Sequence, residues 1–129
     1  MAPPISVAQL AAQLKNDVLR PLYAVIGEED LLRDAALALV KEAALGTDSA
    51  DFNCDLFYGD EADGTAIVAC ASEVAVFAPR RLVIVKAADK LSAKHTEALL
   101  PYLKAPNEST TLVFAAQKLD GRLKFTQAL

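Results

Sequence analysis

Val7, Leu10, Ala11 and Leu14 recur at the three-to-four-residue spacing that puts side chains on one face of a helix. Ser6 stands just before them, and a serine hydroxyl there can accept from the free amides of the first turn. An amphipathic helix therefore opens the chain. After Pro21, Leu22 to Ile26 is an unbroken apolar run closed by Gly27. That is the pattern of a strand buried on both faces, and such strands lie centrally in parallel sheets.

From Asp30 the period returns to helical. Leu31, Leu32, Ala35, Ala36, Leu39, Val40, Ala43 and Ala44 form pairs four residues apart until Gly46, and the acidic Glu28, Glu29 and Asp30 suit the positive end of the helix dipole. Phe52, Cys54, Leu56 and Tyr58 then alternate with Asn53, Asp55 and Phe57 up to Gly59, which predicts a more peripheral strand. Gly59 to Gly64 reads as a turn. Ile67, Val68, Ala71, Val74 and Ala75 predict a helix that stops before Pro79. Leu82 to Val85 is a third strand, and Ser92 caps a helix carrying Leu99, Leu100 and Leu103, with Pro101 marking a kink or a restart. Thr110 to Ala115 is a fourth strand, and an interrupted helix follows Leu119. Alternation of strand and helix throughout predicts an α/β fold of three layers, a parallel sheet with helices on both faces.

Composition narrows this picture. A chain of 129 residues, 53% hydrophobic and 23% charged, is the size and polarity of one packed domain. Residues 1–129 are accordingly read as one module. The formal net charge of -4 argues against a stand-alone DNA clamp, because neutralising phosphates takes a basic footprint. Arg80, Arg81 and Lys86 form a local exception around the third strand; three basic residues are an ordinary solvated edge or, as the alternative, a DNA-proximal set. Cys54 and Cys70 lie too far apart for a zinc knuckle and read as reduced thiols of a cytoplasmic protein. No basic leader precedes an apolar run, and no apolar stretch approaches ~18 residues, so neither secretion nor a membrane span is expected.

Chemistry is sought beyond the carboxyl ends of the strands, where doubly wound sheets bind ligands. The turn after the first strand, Gly27, Glu28, Glu29 and Asp30, holds one glycine and three carboxylates. A phosphate loop there would need several glycines and a terminal lysine, so the position reads as a degenerate phosphate loop that repels a triphosphate. The third strand runs into Lys86, Ala87 and Ala88, leaving Asp89 late for a magnesium ligand. Asp60, Glu61 and Asp63 lack the remaining ligands of a calcium loop. His95, the single histidine, has no nucleophile at elbow spacing and reads as a helix-surface residue. No catalytic residue, metal or cofactor is expected.

One feature points to binding instead. Val76 and Phe77 stand where the third helix should have ended. Phe77 either folds back onto the core or stands out as a wedge for a partner's pocket, and aromatic anchors contribute about 2 kcal/mol or more to interfaces.

Four stretches together resemble the delta subunit of the bacterial DNA polymerase III clamp loader: Pro21 to Leu32, Val76 to Val85, Leu100 to Pro106, and Thr111 to Phe114 followed by Lys118 to Asp120. The resemblance covers most of the chain and implies a degenerate AAA+ module of the P-loop NTPase type, without a working nucleotide site. It implies a subunit that opens the sliding clamp, the beta subunit, by inserting a hydrophobic pair matching Val76 and Phe77; valine replaces the more usual leucine. Other clamp-loader subunits of the full-length assembly are implied as partners, with DNA contacted only indirectly and no membrane. Any polymerase or nucleotidyltransferase activity would belong to the holoenzyme by association. The resemblance further implies an N-terminal piece without lid and collar domains, its fifth strand lying beyond Leu129. The alternative reading is a nucleotide-binding AAA+-type ATPase or regulatory module.

Overall fold

A computed structural model describes residues 6–16, 19–46, 53–74, 80–120 and 123–129. The opening helix, α1 (Val7–Lys15), starts with a reciprocal cap: Gln9 N–H donates to Ser6 Oγ and Ser6 N–H donates to Gln9 Oε1. Strand β1 (Leu22–Ile26) leads into α2 (Asp30–Leu45), which ends on Gly46 at a φ of 64°, a conformation a side chain would strain. Then follow β2 (Cys54–Tyr58), α3 (Gly64–Ala71), β3 (Arg81–Lys86), a 3-10 turn (Ala88–Lys90), α4 (Ala93–Lys104), β4 (Thr110–Ala116) and α5 (Lys124–Gln127). Pro101 lies inside α4 without dividing it.

The four strands are parallel in the order β1-β4-β3-β2. Side-chain alternation on the two central strands separates the core into two layers. Val83, Val85, Leu112 and Phe114 face α3, α4 and α5, meeting Ile67, Leu99, Leu103 and Phe125. Leu82, Ile84, Val113 and Ala115 face α1 and α2, meeting Leu10, Leu37 and Val40. Phe114 and Phe125 pack edge to face with ring centroids 5.0 Å apart. The fold is the expected three-layer α/β class.

One expectation is corrected. β1 is an edge strand of the described sheet, pairing with β4 alone, and Ile26 is 43% exposed. Tyr23 and Val25 pack beneath α1 and α2, whereas Ala24 and Ile26, which alternate with them, are exposed. A short apolar run records burial of some of its side chains, and cannot specify how many neighbours the strand has. The strands buried throughout are β3 from Arg81 to Val85 and all of β4.

Candidate functional site

At the carboxyl ends of β3 and β4, beneath the first turns of α2, a groove of about 510 Å³ opens to solvent. This is the crevice where parallel α/β sheets hold ligands. Gly27 lies beside it, but its N–H already donates to the Ala116 carbonyl at 3.1 Å. Its carbonyl accepts from Arg33, whose guanidinium also pairs with Asp30. Glu28 and Glu29 are exposed. The amide and cation nearest the turn are therefore engaged within the chain, and that turn presents carboxylates rather than a ring of free amides.

The groove walls carry Asp30, Asp34 and Asp89 against Arg33, Lys86 and Lys90. Opposite charges balance, so the walls supply no net attraction for an anion. Asp89 does reach this groove although it comes late in the sequence, because Ala87 takes a left-handed conformation (φ 52°, ψ 44°) and the 3-10 turn brings the next residues back. Gly59 makes that turn possible. Its N–H donates to the Lys86 carbonyl at 2.8 Å, and a Cβ on it would stand 2.0 Å from the Ala87 carbonyl oxygen.

His95 differs from its surface assignment. It is half-buried, and its Nδ1 accepts from Gly64 N–H at 3.0 Å, so the imidazole closes the start of α3 from α4. Asp63 caps the same helix end, accepting from Thr65 N–H at 2.9 Å and Thr65 Oγ1 at 2.7 Å. The Thr65 hydroxyl, then its amide, hold the Asp63 carboxyl below the usual carboxylate range. The turn that resembled an ion loop thus contains a helix cap. Cys54 and Cys70 are not joined in a disulfide, and burial, then the charges of Asp55 and Glu73, push the Cys70 thiol up.

Arg80, Arg81 and Lys86 do not share one surface. Lys86 lines the groove at the carboxyl end of β3, while Arg80 and Arg81 stand at its amino end. Arg80 donates to the Glu108 carbonyl at 2.8 Å. Arg81 is 7% exposed, donates through Nε to the Cys70 carbonyl at 3.0 Å, and pairs with Asp55 and, at 3.2 Å, with Glu73. Charge spacing along a sequence cannot distinguish a solvated arginine from one buried against carboxylates of β2 and the end of α3. Val76 and Phe77 fall in 75–79, outside the described residues. Their described neighbour Val74 is 85% exposed, and Glu73 beside it is exposed as well.

The family model for the DNA polymerase III delta subunit matches residues 23–129. The chain belongs to that family. The Bacillus subtilis DNA polymerase III subunit delta is 30% identical over 126 residues, covering 90% of this chain and 36% of the relative. Among solved structures, the Bacillus subtilis DNA clamp loader delta protein superposes with a TM-score of 0.86 at 29% identity, over 95% of this chain and 39% of that one. A Thermotoga maritima DNA polymerase III gamma subunit-related protein gives a TM-score of 0.71 at 13% identity, with 96% and 43% covered. A Thermotoga maritima RuvB variant gives 0.57 at 14% identity, over 86% and 37%. These last two are similar in fold, and with the delta protein they place the chain in the AAA+-like class. The chain spans less than half the length of each of these relatives, and the family it belongs to is that of the DNA polymerase III delta subunit. Among the described residues no helix is long and apolar enough to cross a membrane.

Proposed function

We propose that this chain carries the contact by which a delta-type subunit grips and opens the sliding clamp, through Val76 and Phe77, and that it binds no nucleotide itself. The observation that carries the positive half is Val74. Just past α3 the chain carries an apolar residue 85% exposed, two positions before the apolar pair, in a family member that superposes on a solved clamp loader delta protein. An exposed valine leading into a phenylalanine suits a short hydrophobic anchor for a partner's pocket. The wedge would favour the clamp conformation that receives it best, and that difference in affinity is what shifts a closed ring toward an open one. ATP would act on sibling subunits, which join this one in the full-length assembly; DNA is met indirectly.

The negative half is supported by the engaged Gly27 amide, by the Arg33 guanidinium held on Gly27 and Asp30, and by the balanced charge of the groove. No intrinsic catalysis follows from these residues. The polymerase reaction would belong to the holoenzyme.

The decisive measurement is surface plasmon resonance of this chain over an immobilised sliding clamp, comparing the parent with Phe77→Ala. Loss of one aromatic anchor should weaken binding by about 2 kcal/mol or more, roughly thirtyfold. Far-UV circular dichroism and urea melts accompany it, because a phenylalanine buried in the core would instead cost ~3 to 5 kcal/mol of stability on truncation. Equal binding by parent and variant, or binding by neither, overturns the proposal.

A further inference from the structure

Helices α3 and α4 meet at a backbone crossing. A Cβ built on Gly64 would stand 2.5 Å from the His95 carbonyl oxygen and 3.0 Å from its Cα, so the glycine is what lets α4 come this near the start of α3. That approach sets the His95 imidazole over the first amide of α3, where Nδ1 accepts from Gly64 N–H at 3.0 Å. An N–H donates only to an unprotonated ring nitrogen, so the ring proton of this bonded form sits on Nε2. The first amides of a helix have no partners within it. Asp63 serves the next one, that of Thr65, and the internal ladder begins where Ile67 N–H donates to the Asp63 carbonyl at 3.0 Å.

A second proton on the ring reverses this contact. It would occupy Nδ1 and turn an acceptor into a donor facing a donor, with the new cation set against the positive end of the α3 dipole. An acceptor for it is close by, because Asp63 Oδ1 lies 3.8 Å from Nδ1. The Thr65 bonds hold that carboxyl below the usual carboxylate range, so it is charged throughout the interval of about pH 5 to 8 in which imidazoles ordinarily gain this proton. The His95 side chain is 27% exposed, which gives water access to it. The other charged groups of the elements packed on His95 are Asp60 and Glu61 in the turn before α3, Lys94 and Glu97 on α4, and Lys124 on α5, all of them exposed. Among the described residues, Asp63 is the carboxylate within ion-pair reach of the ring.

We propose that His95 and Asp63 form a proton-operated latch on the start of α3: neutral His95 closes the Gly64 amide, and protonated His95 releases it to pair with Asp63. Release leaves Gly64 N–H to water and frees the first turn of α3 from α4, while the buried layer that holds Ile67, Leu99 and Phe114 is untouched. The latch stands independently of any clamp contact.

The parent and Asp63→Asn, which keeps a capping side chain without its charge, are followed by nuclear magnetic resonance from about pH 8 to about pH 5. At the upper end the parent should show the Nε2–H tautomer and a scalar coupling across the bond from Gly64 N–H to Nδ1. As the pH falls, that coupling should vanish with the midpoint at which the imidazole titrates. Exchange of the Gly64 amide, corrected for its intrinsic rate, should speed about fivefold, the equivalent of one hydrogen bond, while amides of β3 and β4 do not change. In Asp63→Asn the midpoint should fall by about 0.2 to 0.7 pH unit, the range of an exposed ion pair. An Nδ1–H tautomer at the upper end, or a coupling that survives titration of the ring, overturns the latch. So does an imidazole that has gained no proton by about pH 5. A midpoint in Asp63→Asn equal to that of the parent shows that released His95 does not go to Asp63, and the exchange of partners is then wrong.

Discussion

Two glycines show how little a residue type says until its neighbours are known. A Cβ on Gly59 would meet the Ala87 carbonyl oxygen at 2.0 Å and the Leu91 amide nitrogen at 3.3 Å, both backbone atoms that cannot turn aside, whereas a Cβ on Gly27 would meet nothing within 4 Å. Gly59→Ala should therefore destabilise the chain by about 3 kcal/mol, as forced overpacking does. Gly27→Ala should stay within about 0.5 kcal/mol of the parent. Urea midpoints of the two variants check this, and a Gly59→Ala midpoint equal to that of Gly27→Ala would show that the turn after β3 is not built as described. Both glycines were read from the sequence as the ends of strands, and both are. The clash distinguishing them is invisible there, because Ala87 becomes a neighbour of Gly59 only when β2 pairs with β3.

Helix α3 supplies the test at the scale of an element. Its start is held by Asp63, with Thr65 donating twice to one carboxylate oxygen, and by His95 accepting from Gly64. The Asp63 carboxyl lies below its ordinary value, so its charge stabilises the folded chain fully above the unfolded value, about pH 4, and that contribution fades as pH falls through the lowered folded value. Asparagine caps helices nearly as well but carries no charge. At neutral pH Asp63→Asn should melt at a lower urea concentration than the parent, and the gap should close as the pH is brought below about 4. A gap that stays constant from neutral to acid pH would assign the effect to shape rather than charge. The acidic residues of this turn were legible as a turn, and the cap within it was not, since N-capping by Asp63 depends on where α3 begins.

At the scale of the whole molecule, the fold puts a groove where parallel α/β sheets hold ligands, and fills its surroundings with internal contacts. Arg33 serves Gly27 and Asp30, the Gly27 amide serves Ala116, and carboxylates match lysines along the walls. A ligand at one hundred times its dissociation constant would add ~2.7 kcal/mol to stability. That would raise the melting temperature by several degrees. ATP with magnesium should leave the melting temperature unchanged across a titration. A rise that grows with ATP concentration would overturn the nucleotide-free reading and favour the ATPase alternative.

The sequence by itself determined the order of helices and strands, because periodicity, caps and chain-breaking residues act within one turn or one pleat, although α3 ends at Ala71, short of the Val74 that its pattern included. Ser6 at the start of α1, Gly46 at the end of α2 and the apolar run of β3 were all legible in that way. Its motifs also carried the family, which the comparisons bear out over residues 23–129. Only the tertiary structure decided that β1 lies at an edge and β4 beside it, that Arg81 is buried between Asp55 and Glu73, that His95 closes α3, and that Asp89 reaches the groove. Each of these joins residues far apart in the chain. A local pattern records whether a side chain should leave water, and the identity of what it meets there is set by how the strands order and the helices pack.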